Sequence, residues 1–99
     1  MMFGLSGGLE VLLFLAPTDM RKAFDTLASQ VRDAGQNPLS GNLFVFVGKR
    51  ANRVKILWWH RGGFYLVSRR LEEGTFSITV PGTDAEIELK IDLTELGLL

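Results

Sequence analysis

The run LFVFVGKRANRVKILWWHRGGFYLVSRRL, residues 43–71, decides the fold class. Three apolar or alternating stretches are separated by two glycine-bearing breaks. Leu43–Val47 is continuously apolar and reads as a buried strand. Gly48-Lys49-Arg50-Ala51-Asn52 has turn chemistry. In Arg53–Trp59, one face carries Arg53, Lys55, Leu57 and Trp59, and the other carries Val54, Ile56 and Trp58. That is the period of two expected of a strand. Arg61-Gly62-Gly63 is a second tight turn, and Phe64–Leu71 a third strand. Strands this closely spaced, joined by glycine-rich turns, predict an antiparallel meander.

Upstream, Val11–Leu15 reads as another buried strand, closed by Pro17. The period then changes. Met20, Ala23, Phe24, Leu27, Ala28, Val31 and Ala34 recur at helical spacing and form one apolar stripe. The spacing predicts a helix over Asp19–Ala34, with Thr18 or Asp19 as its cap and Gly35 as its stop. Residues 36–42 are a connecting loop. Downstream, Thr75–Val80 and Glu86–Ile91 read as further strands. Met1–Gly8 reads as a flexible lead. The expected architecture is α+β: an antiparallel β-meander sheet packed against one amphipathic helix, in a single domain over 1–99.

The chain has 99 residues, no cysteine and one histidine. A disulfide framework and a cysteine-based zinc site are therefore excluded. The apolar run Leu9–Ala16 is interrupted by Glu10, is too short for a bilayer and follows no basic segment. The reading is a cytoplasmic protein with no membrane association and no cofactor.

Formal net charge is zero, but its distribution is uneven. Residues 41–71 carry Lys49, Arg50, Arg53, Lys55, Arg61, Arg69 and Arg70 and no acid. Residues 72–99 carry Glu72, Glu73, Asp84, Glu86, Glu88, Asp92 and Glu95 against Lys90. A basic middle points to an anionic partner, or to cross-strand pairing with the acidic end. Zero net charge also favours self-association.

Catalytic constellations find little support. His60 and Ser68 lack a nucleophile elbow. Asp19 and Asp25, a conceivable metal pair for a nuclease, stand on different faces of the expected helix. No glycine-rich loop carries the lysine and hydroxyl of a P-loop. The reading is therefore not an enzyme, with no metal site. The basic hairpin is the strongest signal. Lys49, Arg50, Arg53 and Lys55 are placed to neutralise phosphates, and Arg21 and Lys22 form a second basic pair. Positive charge in a first helical turn opposes the helix dipole, which argues for a role for that pair. Trp58 and Trp59 are adjacent on a strand and point to opposite sides, so one of them is available to a partner.

Four ordered blocks carry a family resemblance. Pro17-Thr18-Asp19-Met20-Arg21-Lys22-Ala23-Phe24-Asp25 resembles a Thr-Asp-Met-Arg-Lys-Gly-Phe-Asp signature. Leu39–Phe46 is similar to Phe-Ser-Gly-His-Leu-Phe-Val-Phe. Arg53–Trp59 is similar to Arg-x-Lys-Ile-Leu-Tyr/Trp-Trp, and Arg69–Phe76 to Lys-Arg-Leu-Glu-x-Gly-x-Phe. These blocks belong to the second-frame, TnpB-type accessory proteins of the bacterial insertion-sequence family numbered sixty-six. Ala23 replaces the usual Gly, Asn42 a His, and His60 an Asp. The resemblance implies a non-catalytic part in transposition beside a separate, larger transposase. Two mechanisms fit that role. In one, Arg21, Lys22, Lys49, Arg50, Arg53 and Lys55 bind phosphates of DNA at the element ends. In the other, Trp58 or Trp59 and the acidic C-terminal segment make the protein an adaptor for the transposase.

Overall fold

In the computed structural model, which describes residues 2–5 and 10–76, five strands form one sheet in the order β1-β2-β3-β4-β5. The strands are β1 (Met2–Leu5), β2 (Val11–Phe14), β3 (Leu43–Val47), β4 (Arg53–His60) and β5 (Gly63–Arg70). One helix, α1 (Phe24–Asp33), lies between β2 and β3 in sequence.

The α+β class is as the sequence predicts, but the sheet is mixed. Strands β3, β4 and β5 form the expected antiparallel meander. Strand β2 instead pairs with β3 in parallel, Leu12 opposite Phe44 and Phe14 opposite Phe46. A parallel pair needs a long crossover, and the segment containing α1 supplies it. Met2–Leu5, expected as a lead, forms β1 and pairs antiparallel with β2.

The core lies on both faces of the sheet. On one face Leu12, Phe14, Phe44, Phe46 and Leu57 share a buried cluster with Leu27, Ala28 and Val31 of α1. The Phe14 and Phe46 rings stack at 4.7 Å. On the other face Leu13, Val45, Val47, Val54, Ile56 and Trp58 form a second cluster, with Phe76 against it. Burial on both sides explains why all five residues of β3 are buried and apolar. Each such side chain contributes about 1.5–3 kcal/mol.

The helix is shorter than its apolar period suggests. Asp19 accepts a hydrogen bond from the Arg21 backbone N–H (2.9 Å), and the Lys22 N–H donates to the Asp19 carbonyl (3.1 Å). Residues 19–22 thus make a turn of their own. Ala23 is extended (φ −122°, ψ −161°) and occupies the cap position without a side-chain cap bond. The expected cap by Thr18 or Asp19 is therefore absent, because Asp19 closes the preceding turn instead. Arg21 and Lys22 lie outside the helix, so the dipole penalty does not apply to them. Phe24, at the helix start, is 43% exposed. The C-terminus is as expected. Gly35 (φ +80°) follows the helix, with its N–H bonded to the Arg32 carbonyl and that of Gln36 to the Val31 carbonyl. This is the paired arrangement of a Schellman stop.

Both hairpin turns match their sequence. The β4–β5 turn has Arg61 (φ 47°) and Gly62 (φ 83°) between paired His60 and Gly63. Two positive φ values in a two-residue loop make it type I′. Thr75 and Phe76 lie outside any strand. The rest of the expected Thr75–Val80 strand, and the Glu86–Ile91 strand, fall outside the described residues.

Candidate functional site

The loop before α1 and the β3–β4 turn meet. The Thr18 backbone N–H donates to the Val47 carbonyl at 2.8 Å, which fixes the loop to the last residue of β3. The turn opposite is closed by the Gly48 N–H to Arg53 carbonyl bond (3.0 Å) and the Ala51 N–H to Gly48 carbonyl bond (2.9 Å). Between loop and turn lies a cleft of about 380 Å³. Thr18, Asp19 and Met20 form one wall; Gly48, Lys49, Arg50, Asn52 and Arg53 form the other. Met20 sits directly on Gly48: a Cβ at that glycine would stand 2.7 Å from Met20 Cγ. The missing side chain at position 48 is what lets the two walls approach.

The six cations singled out in the sequence divide into two groups. Lys49, Arg50 and Arg53 line the cleft and are exposed. Among the described residues none of the three makes a side-chain hydrogen bond or ion pair. The other three are engaged. The Arg21 guanidinium pairs with the Asp19 carboxylate at 2.7 Å. Lys22 Nζ donates to Gln30 Oε1 (3.3 Å), and Gln30 Nε2 donates to the hydroxyl of buried Thr18 (3.2 Å). Lys55 Nζ, half-buried, donates to the Lys22 carbonyl at 2.7 Å. Lys55 therefore holds the loop from behind rather than facing the cleft.

Asp19 is the carboxylate in this wall. Its side-chain hydrogen bonds from Arg21, and then the one from the Arg21 backbone, hold its carboxyl well below the usual carboxylate range. Arg21 is correspondingly held above its ordinary value by the same bond. The pair is nearly neutral as a unit, and the cleft keeps the positive charge of Lys49, Arg50 and Arg53.

The basic cluster continues across the sheet. Arg53 lies opposite Arg70 on β5, and Arg70 pairs with Glu72 at 2.9 Å. Among the described residues no three His, Asp or Glu side chains come together as metal ligands. Asp25, in the first helical turn, does not line the cleft with Asp19.

The tryptophans stand at the other end of β4. Trp58 is buried and stacks on Tyr65 at 5.1 Å, so its surface belongs to the core. Trp59 is half-buried and meets Phe64 edge-on at 5.0 Å. Tyr65, one of the aromatics beside the basic hairpin that the sequence offers for stacking on unpaired bases, is 53% exposed. Thr18 and Met20 were missed as site residues. Their signal was available in the Pro17–Asp25 run, which only the fold brings beside the basic turn.

The chain is 40% identical over 75 residues to the uncharacterized protein y4hO of Sinorhizobium fredii (strain NBRC 101917 / NGR234), covering 73% of this chain and 65% of that protein. It is 34% identical over 76 residues to the uncharacterized protein y4jC of the same strain, covering 76% and 65%. The chain thus spans just under two thirds of the length of these relatives. No solved structure matches significantly. Among the described residues no helix is long and apolar enough to cross a membrane. Residues 9–99, with the cleft and both of its walls, match the family described as IS66 Orf2 like protein, and the chain belongs to that family.

Proposed function

We propose that the chain is a non-catalytic accessory protein of an insertion sequence that contacts DNA phosphates through the Lys49–Arg53 turn. Family membership supports the link to transposition. The observation that carries the DNA reading is the set of three cations, Lys49, Arg50 and Arg53, on one cleft with no partner among the described residues. Neutralising phosphates with such side chains releases counterions, so affinity falls steeply with salt. Lys22, next to the cleft wall, adds a further positive charge, whereas the charge of Arg21 is balanced by Asp19. The chemistry of strand transfer then belongs to a separate transposase.

The test is fluorescence anisotropy against element-end DNA and a scrambled duplex at two salt concentrations. Binding that weakens with salt, and further in Lys49→Ala, Arg50→Ala and Arg53→Ala, supports the reading. A folded sample that binds neither duplex at low salt overturns it. The adaptor reading then leads, supported by the exposed Tyr65 and half-buried Trp59 at the far end of β4.

A further inference from the structure

The cleft is larger and less uniform than phosphate contact alone requires. Its volume, about 380 Å³, is in the range of pockets that enclose small organic ligands rather than single anions. Three of its residues are cations, but Met20 adds a thioether and Asn52 an amide. Methionine sulfur makes favourable contacts with aromatic rings. A side-chain amide offers two donors and an acceptor, the pattern that pairs with a base edge. Cation, thioether and amide in one concavity match a phosphate that carries a base.

We infer that the cleft receives one unpaired nucleotide of a DNA strand, its phosphate on Lys49, Arg50 and Arg53 and its base against Met20 within reach of Asn52. The inference rests on the DNA reading above and specifies its substrate. An intact duplex keeps its bases stacked and presents only phosphates and groove edges, so it offers no free base face to Met20. A frayed or overhanging strand end can. Asp19, which would repel phosphate if bare, is covered by Arg21 at 2.7 Å. Gly48 is part of the device, because any side chain there would drive Met20 out of its seat.

The experiment compares a blunt duplex with the same duplex carrying a short unpaired overhang, by anisotropy with the full chain. A free deoxynucleoside monophosphate serves as competitor. Contact of one base with the Met20 thioether predicts up to about tenfold tighter binding of the overhang. Met20→Ala and Asn52→Ala, each confirmed folded by thermal melting, should weaken binding of the overhang more than binding of the blunt duplex, so that the preference is lost. The Asn52 variant keeps the test decisive if loss of Met20 prevents folding. Equal, salt-sensitive binding of blunt and overhanging duplexes overturns the inference and leaves phosphate contact standing. A preference that survives both variants removes it from this cleft. Competition by the mononucleotide as effective as that by the overhang would make this a free-nucleotide site instead. No binding of any duplex overturns both readings.

Discussion

Arg53 and Arg70 stand directly opposite one another across β4 and β5. Like charges at directly paired positions cost stability. Glu72 relieves Arg70 at 2.9 Å, but no described carboxylate relieves Arg53. Arg53→Thr should therefore leave the fold as stable or more stable, by up to about 0.5 kcal/mol, in urea unfolding. The same variant should bind DNA more weakly. Opposite signs for stability and binding are the mark of a residue kept for its function.

Asp19→Asn should tighten DNA binding. It keeps an acceptor for the Arg21 backbone N–H but frees the guanidinium beside the cleft. The salt slope of binding should steepen by about one counterion. The pH dependence follows from the lowered carboxyl. A depressed carboxylate stabilises the fold above its unfolded value, roughly 3.9, and loses that contribution as pH falls towards its folded value. The difference in melting temperature between wild type and Asp19→Asn should thus be constant from about pH 5 to 8. It should shrink below about pH 4, as followed by circular dichroism. The group is solvent-exposed, so the difference itself is small.

Trp58 and Trp59 should separate sharply. Trp58→Ala empties a buried position under Tyr65 and should cost about 3–5 kcal/mol. Trp59→Ala removes a half-buried ring and should cost clearly less. Urea unfolding of both variants measures the gap. A transposase fragment that loses affinity for folded Trp59→Ala or Tyr65→Ala would favour the adaptor role.

The β4–β5 turn holds a correctable strain. Arg61 occupies the left-handed region (φ 47°), where asparagine is favoured before glycine in a type I′ turn. Arg61→Asn should stabilise the fold by roughly 0.5–1 kcal/mol without moving the cleft, which lies at the other end of β4. Gly62→Ala at φ 83° should destabilise it by a comparable amount or more.

The meander was legible because Arg53–Ile56 alternates polar and apolar residues and the flanking turns carry glycine. The parallel pairing of β2 with β3 was less so, although Val11–Phe14 and Leu43–Val47 already carry the continuous apolar pattern of strands buried on both faces. The helix start was misplaced because Met20 and Ala23 fit the period while Asp19 closed a competing local turn. Periodicity reports which faces are apolar; it does not report that a side-chain acceptor has captured the backbone first. The basic half of the cleft was plain from the charge run. Its other wall was not, since residues 18 and 48 become neighbours only through the Thr18–Val47 backbone bond.

That bond and the Lys55–Lys22 bond hold the loop at both of its ends before any ligand arrives. A site fixed in advance has little ordering to complete on encounter. On the proposed DNA reading, association should run at the pace of charged diffusion, in a single kinetic phase that quickens as salt is lowered. Differences among DNA ligands should then show in how long they stay.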